Sequence, residues 1–290
     1  VFRFNEVAGT LPTIMVEDSS NPPSQEKPSS TPLRKALSEV WSLAWPTILT
    51  MTSFTMMQFV DKLMVSHVGP MEVAAQGNAG TWAFAAIAIV IGVITVVNTF
   101  VSQNLGAGQP QNGPRYPWAA AWLALGAWIC IIVPWALIIP EVFHTIHPDE
   151  EILISLESTY AVYMLYGSLS LLVGRGFSQY FFGMHMPKVI TVSTIIANIV
   201  NVVANYILIF GEEGVPNFIP GIPGTPALGL QGAAIATIIG MFVEMIIPLA
   251  IFLSPKFHNK YKTRTPWRPC ISTIRALFRI GWPGSLQWSN

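Results

Sequence analysis

Six apolar stretches, at roughly residues 40–66, 75–102, 116–140, 156–183, 188–210 and 230–254, take up most of this 290-residue chain. Each reaches the ~20 residues that a helix needs to cross a bilayer core. Hydrophobic residues make up 52% of the sequence and charged residues 10%, against about 25% charged in an ordinary soluble domain. Charge this sparse cannot cover a globular surface of this size. The expected fold class is therefore an all-α membrane protein, a six-helix transmembrane bundle. Lys and Arg are not gathered into a groove with interleaved aromatics, so nucleic-acid binding is not expected. Cys130 falls inside an apolar span and Cys270 in a basic loop, which sets them apart in depth and argues against a structural disulfide.

The connections between the stretches set an orientation. Arg34 and Lys35, then Arg115, then Lys188, then Lys256, Lys260, Lys262, Arg264 and Arg268 occupy alternate loops, while Glu72, Glu141, Asp149, Glu150, Glu151, Glu212 and Glu213 mark the others. Positive residues gather on the cytoplasmic side, which places the N-terminal tail and the 255–270 loop inside. Residues 1–35, rich in Ser, Pro, Thr and acids, read as a disordered cytoplasmic tail. Residues 36–254 read as one lobe and 255–270 as a basic cytoplasmic loop.

A repeat then appears. Leu37, Val40, Leu43, Trp45, Pro46 and Leu49 return as Ile274, Leu277, Ile280, Trp282, Pro283 and Leu286, each 237 positions on. Residues 271–290 are therefore expected to start a second, truncated lobe. Six spans return the chain to the side where it began, so the two lobes would be parallel repeats, an architecture common among secondary transporters.

Ionisable groups inside spans are costly and mark function by default. Asp61, Lys62, Arg175 and Glu244 fall there. At ~1.5 Å per residue, Asp61 lies about 30 Å along the first span, Asn201 and Asn205 about 20 and 26 Å along the fifth, and Thr237 about 10 Å into the sixth from the opposite end. All four reach a similar depth in the outer half. Asn201 and Asn205, four apart, share a helix face. A carboxylate, two amides and a hydroxyl at one level suit a proton or a small hard cation. The plainer alternatives are an Asp61–Lys62 pair and asparagines that bridge helices. Arg175 and Glu244 lie deeper, about 25 and 21 Å from the outer side, where they could form an inner-half ion pair. Pro46 removes a backbone hydrogen bond and is the expected hinge of the first helix. His144 and His147, beside Pro148-Asp149-Glu150-Glu151, read as a solvated acidic turn rather than a metal site. No phosphate-binding Gly-Lys loop is present, and no acid pair or nucleophile with a base suggests an intramembrane enzyme.

Taken in order, Trp45-Pro46, Phe59-Val60-Asp61, Ser102-Gln103-Asn104-Leu105-Gly106-Ala107-Gly108, Asn198-Ile199-Val200-Asn201 with Asn205-Tyr206 and Gly211, and Leu228-Gly229 with Gly232-Ala233-Ala234 and Ala236-Thr237 resemble the multidrug and toxic compound extrusion (MATE) transporters. The likeness runs over about residues 36–290. It implies two six-helix lobes around a cavity that opens alternately to either side. It also implies export of small organic cations driven by inward flow of protons or sodium ions, with no other cofactor. Asp61 falls on the family's first-span carboxylate, and Asn201, Asn205 and Thr237 on or beside polar positions of the same lobe. The family often has a second carboxylate in the fifth span where Asn205 stands here. An uncharged polar residue is common where this chain has Arg175. The resemblance further implies a multi-pass protein of the bacterial inner membrane, in contact with lipid and monomeric when full-length. The alternative within the broader superfamily is a flippase for lipid-linked saccharide precursors, which would need several basic residues in its cavity.

Overall fold

In the computed structural model, residues 33–212, 214 and 221–288 are described. Nine α-helices appear among them: α1 (Leu33–Ser66), α2 (Pro70–Gly106), α3 (Arg115–Ala127), α4 (Val133–Ile146), α5 (Glu151–Gly183), α6 (Pro187–Asn205), α7 (Leu230–Leu253), α8 (Pro255–Tyr261) and α9 (Ile271–Trp288). No strand occurs among the described residues. The expected tail at 1–35 lies outside the described residues except for its last three positions, which already belong to α1. The chain divides into two units, residues 1–41 and 42–290, and all that follows concerns the second.

Four segments are long and apolar enough to cross a membrane: Pro70–Gly106, Pro110–Ile146, Pro187–Phe210 and Leu230–Leu253. The chain is an integral membrane protein. The first four spans overrun their expected apolar limits by several residues, whereas Pro187–Phe210 and Leu230–Leu253 match the expected 188–210 and 230–254 within one residue. A helix continues past the hydrocarbon until something breaks it, and here the breakers are Gly69-Pro70, Gly106 to Gly108, Pro148 and Gly183 to Pro187. The basic loop at 255–270 is also more ordered than expected. Ser254 accepts a hydrogen bond from the Phe257 N–H and so caps the short α8, and the Arg264 guanidinium closes the end of α7 on the Leu253 carbonyl.

α2 runs through the core against α5 and α9. Its small and branched residues Ala79, Ala83, Ile87, Ile94, Val97 and Val101 are fully buried. Their spacing of three, four or seven residues puts them along one face. At the far end of α5, Phe177, Tyr180 and Phe252 of α7 meet edge to face, with centroids 5.0–5.1 Å apart for the pairs involving Phe252. The Trp118 and Trp122 indoles of α3 donate to the Thr263 and Trp267 carbonyls at 2.8 and 2.9 Å, which ties the 262–270 segment to the bundle.

Two π-helical segments interrupt the regular winding, Trp128–Ile132 between α3 and α4 and Tyr206–Phe210 directly after Asn205. Such segments shift the register of side chains and are frequent at functional sites. Beyond the second, Gly229 takes a left-handed φ of +54° to begin α7, and the Leu228 and Gly229 N–H groups donate to the carbonyls of Leu208 and Ile209. α7 thereby folds back along α6. The stripe Gly232, Ala236, Gly240 faces α6: a Cβ on Gly240 would stand 3.0 Å from that of Asn201.

Candidate functional site

α1 and α6 are joined by a polar ladder. The Thr50 and Thr191 hydroxyls are 3.1 Å apart, the Asn198 amide donates to the Ser53 carbonyl at 2.9 Å, and the Asn205 amide donates to Asp61 Oδ1 at 2.5 Å. Positions 191, 198 and 205 are spaced by seven, two helical turns each, and so lie on one side of α6. Between the first and last rungs a cleft of about 370 Å³ opens, lined by Thr52, Ser53, Met56, Met57 and Asn198 among others. No charged side chain lines it.

Asp61 is 7% exposed, and Asn201 and Asn205 are fully buried. The Asn205 NH₂ group also donates to Asn201 Oδ1 at 3.2 Å. That leaves Asn205 Oδ1 and Asn201 Nδ2 buried without partners. Burying such groups unpaired costs about 1–3 kcal/mol each, and a bound proton or cation can offset that cost for the Asn205 oxygen, the acceptor of the two. The amide has a second property that matters here. It donates through Nδ2 to a carboxylate and accepts through Oδ1 from a carboxylic acid. By turning over, Asn205 can serve Asp61 in either protonation state.

Other expected residues are placed differently. Lys62 is exposed and makes no ion pair among the described residues; Asp61 is held by Asn205 instead. Thr237 is buried one turn from Gly240, but its hydroxyl donates to the Ala233 carbonyl of its own helix at 2.9 Å. The expected ion pair of Arg175 and Glu244 does not form. Glu244 turns to α6, where it accepts from the Thr194 hydroxyl at 3.1 Å, and its carbonyl accepts from Ser193 at 3.0 Å. Arg175 and Glu244 line one narrow cavity of about 10 Å³, the space of a single water. The hydroxyls of α6, invisible to a count of charges, outcompete the guanidinium. Pro46, the expected hinge, falls within α1 at a position whose side chain lies outside the described residues. Among the described residues no group of three or more His, Cys, Asp or Glu is placed to hold a metal.

Sequence reasoning missed a second polar group. Glu157 of α5 is 1% exposed and accepts from the Asn78 amide of α2 at 2.7 Å. Tyr160, one turn on, hydrogen-bonds Gln76 and lies within electrostatic reach of Asp61. Glu157 stands at the second position of its expected span, where an acid looks like the edge of a loop. The signal that could have revealed it is its i, i+3 spacing to Tyr160 on a face that also carries Ile154 and Ala161.

The geometry can be set beside known proteins. Proteins named probable multidrug resistance protein NorM are similar to this chain. The one from Neisseria meningitidis serogroup A is 27% identical over 259 residues, 85% of this chain and 52% of its own length. The one from Pseudomonas syringae pv. tomato is 29% identical over 262 residues, 86% and 52%. The chain thus spans about half the length of the curated relatives it matches. Among solved structures, the outward-facing conformation of a multidrug resistance MATE family transporter of the MOP superfamily aligns with TM-score 0.71 at 21% identity, covering 85% of this chain and 51% of that one. The inward-facing conformation of a multidrug resistance MATE family transporter of the MOP superfamily aligns with TM-score 0.64 at 18% identity, covering 81% and 50%. The family described as MatE matches residues 46–207, more than half of the sequence, and the chain belongs to that family.

Proposed function

We propose that the chain forms the ion-coupling lobe of a secondary transporter that exports organic cations or drugs by antiport with protons or sodium ions. The observation that carries this reading is the buried Asp61–Asn205–Asn201 group at the end of a methionine-lined cleft between α1 and α6. In this reading α1 and α5 cross the membrane with the four apolar segments, making six spans. A second lobe faces the first across the substrate path, both ends of the lobe are cytoplasmic, and the protein works as a monomer in a bacterial inner membrane. Thr237 completes the ion site by its lone pairs. Family members act as transporters, and no enzymatic step is part of this reading.

The geometry supports a coupling scheme. An arriving ion satisfies the Asp61 carboxyl group and the unpartnered Asn205 oxygen. Asn205 then turns over, the rung between Asp61 and α6 changes partner, and α1 moves relative to α6. That movement reshapes the cleft. Flexible thioethers at Met56 and Met57 suit varied apolar cations. The cleft has no basic residue to receive a phosphate, so the superfamily alternative of lipid-linked saccharide flipping has no support in its lining.

The test is Asp61→Asn in the full-length protein, reconstituted in proteoliposomes. The mutant keeps the shape and loses the charge that changes. Gradient-driven efflux of ethidium is expected to vanish while much of the ethidium binding persists. Wild-type efflux by the mutant under a proton or a sodium gradient would sink the proposal.

A further inference from the structure

We propose that Glu157, with His147 and Asn78, is a second proton-binding site, which loads protons from the side of the acidic loops and passes them toward Asp61. The inference rests on the transport reading above and adds a route to it.

His147 ends α4, in the turn that leads into α5, and its side chain is 29% exposed. Its position is set by the backbone: the His147 N–H donates to the Phe143 carbonyl and the His147 carbonyl accepts from Glu150. Nε2 stands 3.9 Å from Glu157 Oε1, a contact that becomes an ion pair when the imidazole holds a proton. The same Oε1 accepts from Asn78 at 2.7 Å. Oε2 is buried and has no partner. A carboxyl oxygen in dry surroundings with no donor is a place for a proton, and an imidazole is the side chain that takes up and gives back protons near neutral pH. A structural ion pair alone would not leave the second oxygen idle, since buried carboxylates are ordinarily paired at both.

The route inward uses groups already in place. Tyr160 is buried one turn below Glu157 on the same face of α5. Its hydroxyl is bonded to Gln76, whose Oε1 has no partner of its own, and it lies within electrostatic reach of Asp61. His147 Nε2 takes a proton from water and yields it to Glu157. The proton then leaves Glu157 toward Asp61 along this polar face of α5, and His147 and Glu157 return to their starting states.

The surroundings hold few competing charges. From α4 come His147 and the exposed His144, and from the α4–α5 turn and the start of α5 come exposed Asp149, Glu150 and Glu151. α2 contributes the neutral amides Gln76 and Asn78, with Glu72 folded back over Gly69 at its outer end. α5 itself adds Tyr160 and the Ser158 hydroxyl, which is buried without a partner. α1 adds Asp61.

The experiment uses the full-length protein in proteoliposomes, with ethidium efflux measured against the pH of the loading side from about 5.5 to about 8.5, a range that brackets imidazole titration. Glu157→Gln is expected to lower proton-driven efflux about tenfold, within the usual range of coupling between linked sites, and to flatten its dependence on that pH. His147→Gln is expected to shift the same profile by a smaller amount. If Glu157→Gln does not fold, His147→Gln, at the solvent rim, decides alone. Profiles that match the wild type in the variants that fold overturn the inference, and so does efflux driven by sodium with no response to pH. Asp61→Asn runs in parallel. Retained efflux there overturns the transport reading itself, whereas its loss alongside unchanged Glu157 and His147 profiles overturns the proton route and leaves that reading standing.

Discussion

α1 and α2 are neighbours in sequence and are held in place by different forces. α2 is packed by shape. Ala79, Ala83, Ile94, Val97 and Val101 are fully buried, and the α5 chain comes so close that a Cβ on Gly183 would sit 2.8 Å from the Asn98 carbonyl. The second unit's stretch of α1 carries Met51, Phe54, Met56, Phe59 and Leu63 as exposed residues and is attached to α6 through the rungs at Thr50, Ser53 and Asp61. Moving α2 would open voids throughout the core, and the lost contacts would not be recovered. Moving α1 exchanges hydrogen bonds for others. In the proposed coupling, the helix tethered by exchangeable polar pairs is the one that answers the ion, and Asp61 sits on it.

The largest expected difference is in stability. Ile94→Ala, at a residue 1% exposed, is expected to cost about 2–5 kcal/mol through the cavity it leaves. Phe59→Ala, at 61% exposed, is expected to stay within about 0.5 kcal/mol despite removing a larger side chain. Unfolding of the purified protein in detergent would compare the two, and equal costs would erase the contrast between the helices.

The ladder comes next. Asn205→Ala strips Asp61 of its donor and is expected to cost about 1–3 kcal/mol, the usual range for orphaning a buried polar group. Asn198→Ala and Thr191→Val remove partners nearer the cleft and are each expected to cost about 0.6–1.7 kcal/mol, as interhelical hydrogen bonds in membranes do. A ladder whose three rungs cost the same would mean that Asp61 has no special place on it. Lost rungs that left drug affinity unchanged would detach the cleft from the proposed coupling group.

The smallest effect is a reactivity. Cys270, fully exposed before α9, is hydrogen-bonded to Ser272 at 3.1 Å, and that bond, with those of Thr273, draws its thiol down to about 7 from 9.0. Its alkylation by maleimide is expected to climb with pH through about 7 and level off above it, because the thiolate is the reacting form. Ser272→Ala should move the midpoint up. With Cys270 as internal standard, Met56→Cys on α1 should label readily and Ala88→Cys on α2 hardly at all; similar rates would mean that α1 is as enclosed as α2.

How far the sequence reached depends on whether a feature is local. Helical character followed from apolar length, and breakers such as Gly69-Pro70 could be read directly, although the helices run past the hydrocarbon to meet them. The spacing of Asn201 and Asn205 gave their common face without any structure. The π-helical turn after Asn205 was not legible, since a π bulge is chosen by packing against α7 and not by the identity of Tyr206 or Ile207. Arg175 and Glu244 were assigned to each other on charge and depth alone. Depth along two helices leaves their rotation open, and rotation is what turned Glu244 to Thr194.

The sequence by itself determined that this is a helical membrane protein, that Asp61 is an acid buried along the first helix, and that its depth matches that of two asparagines on another helix. Composition, length and periodicity act along one helix at a time, and they suffice for those conclusions. The tertiary structure alone decided which depths become contacts: Asp61 with Asn205 and not Lys62, Glu244 with Thr194 and not Arg175, Glu157 with Asn78 and His147. A hydrogen bond is satisfied within about 3 Å, while a sequence fixes the height of a residue on a helix and leaves open which neighbour stands across from it.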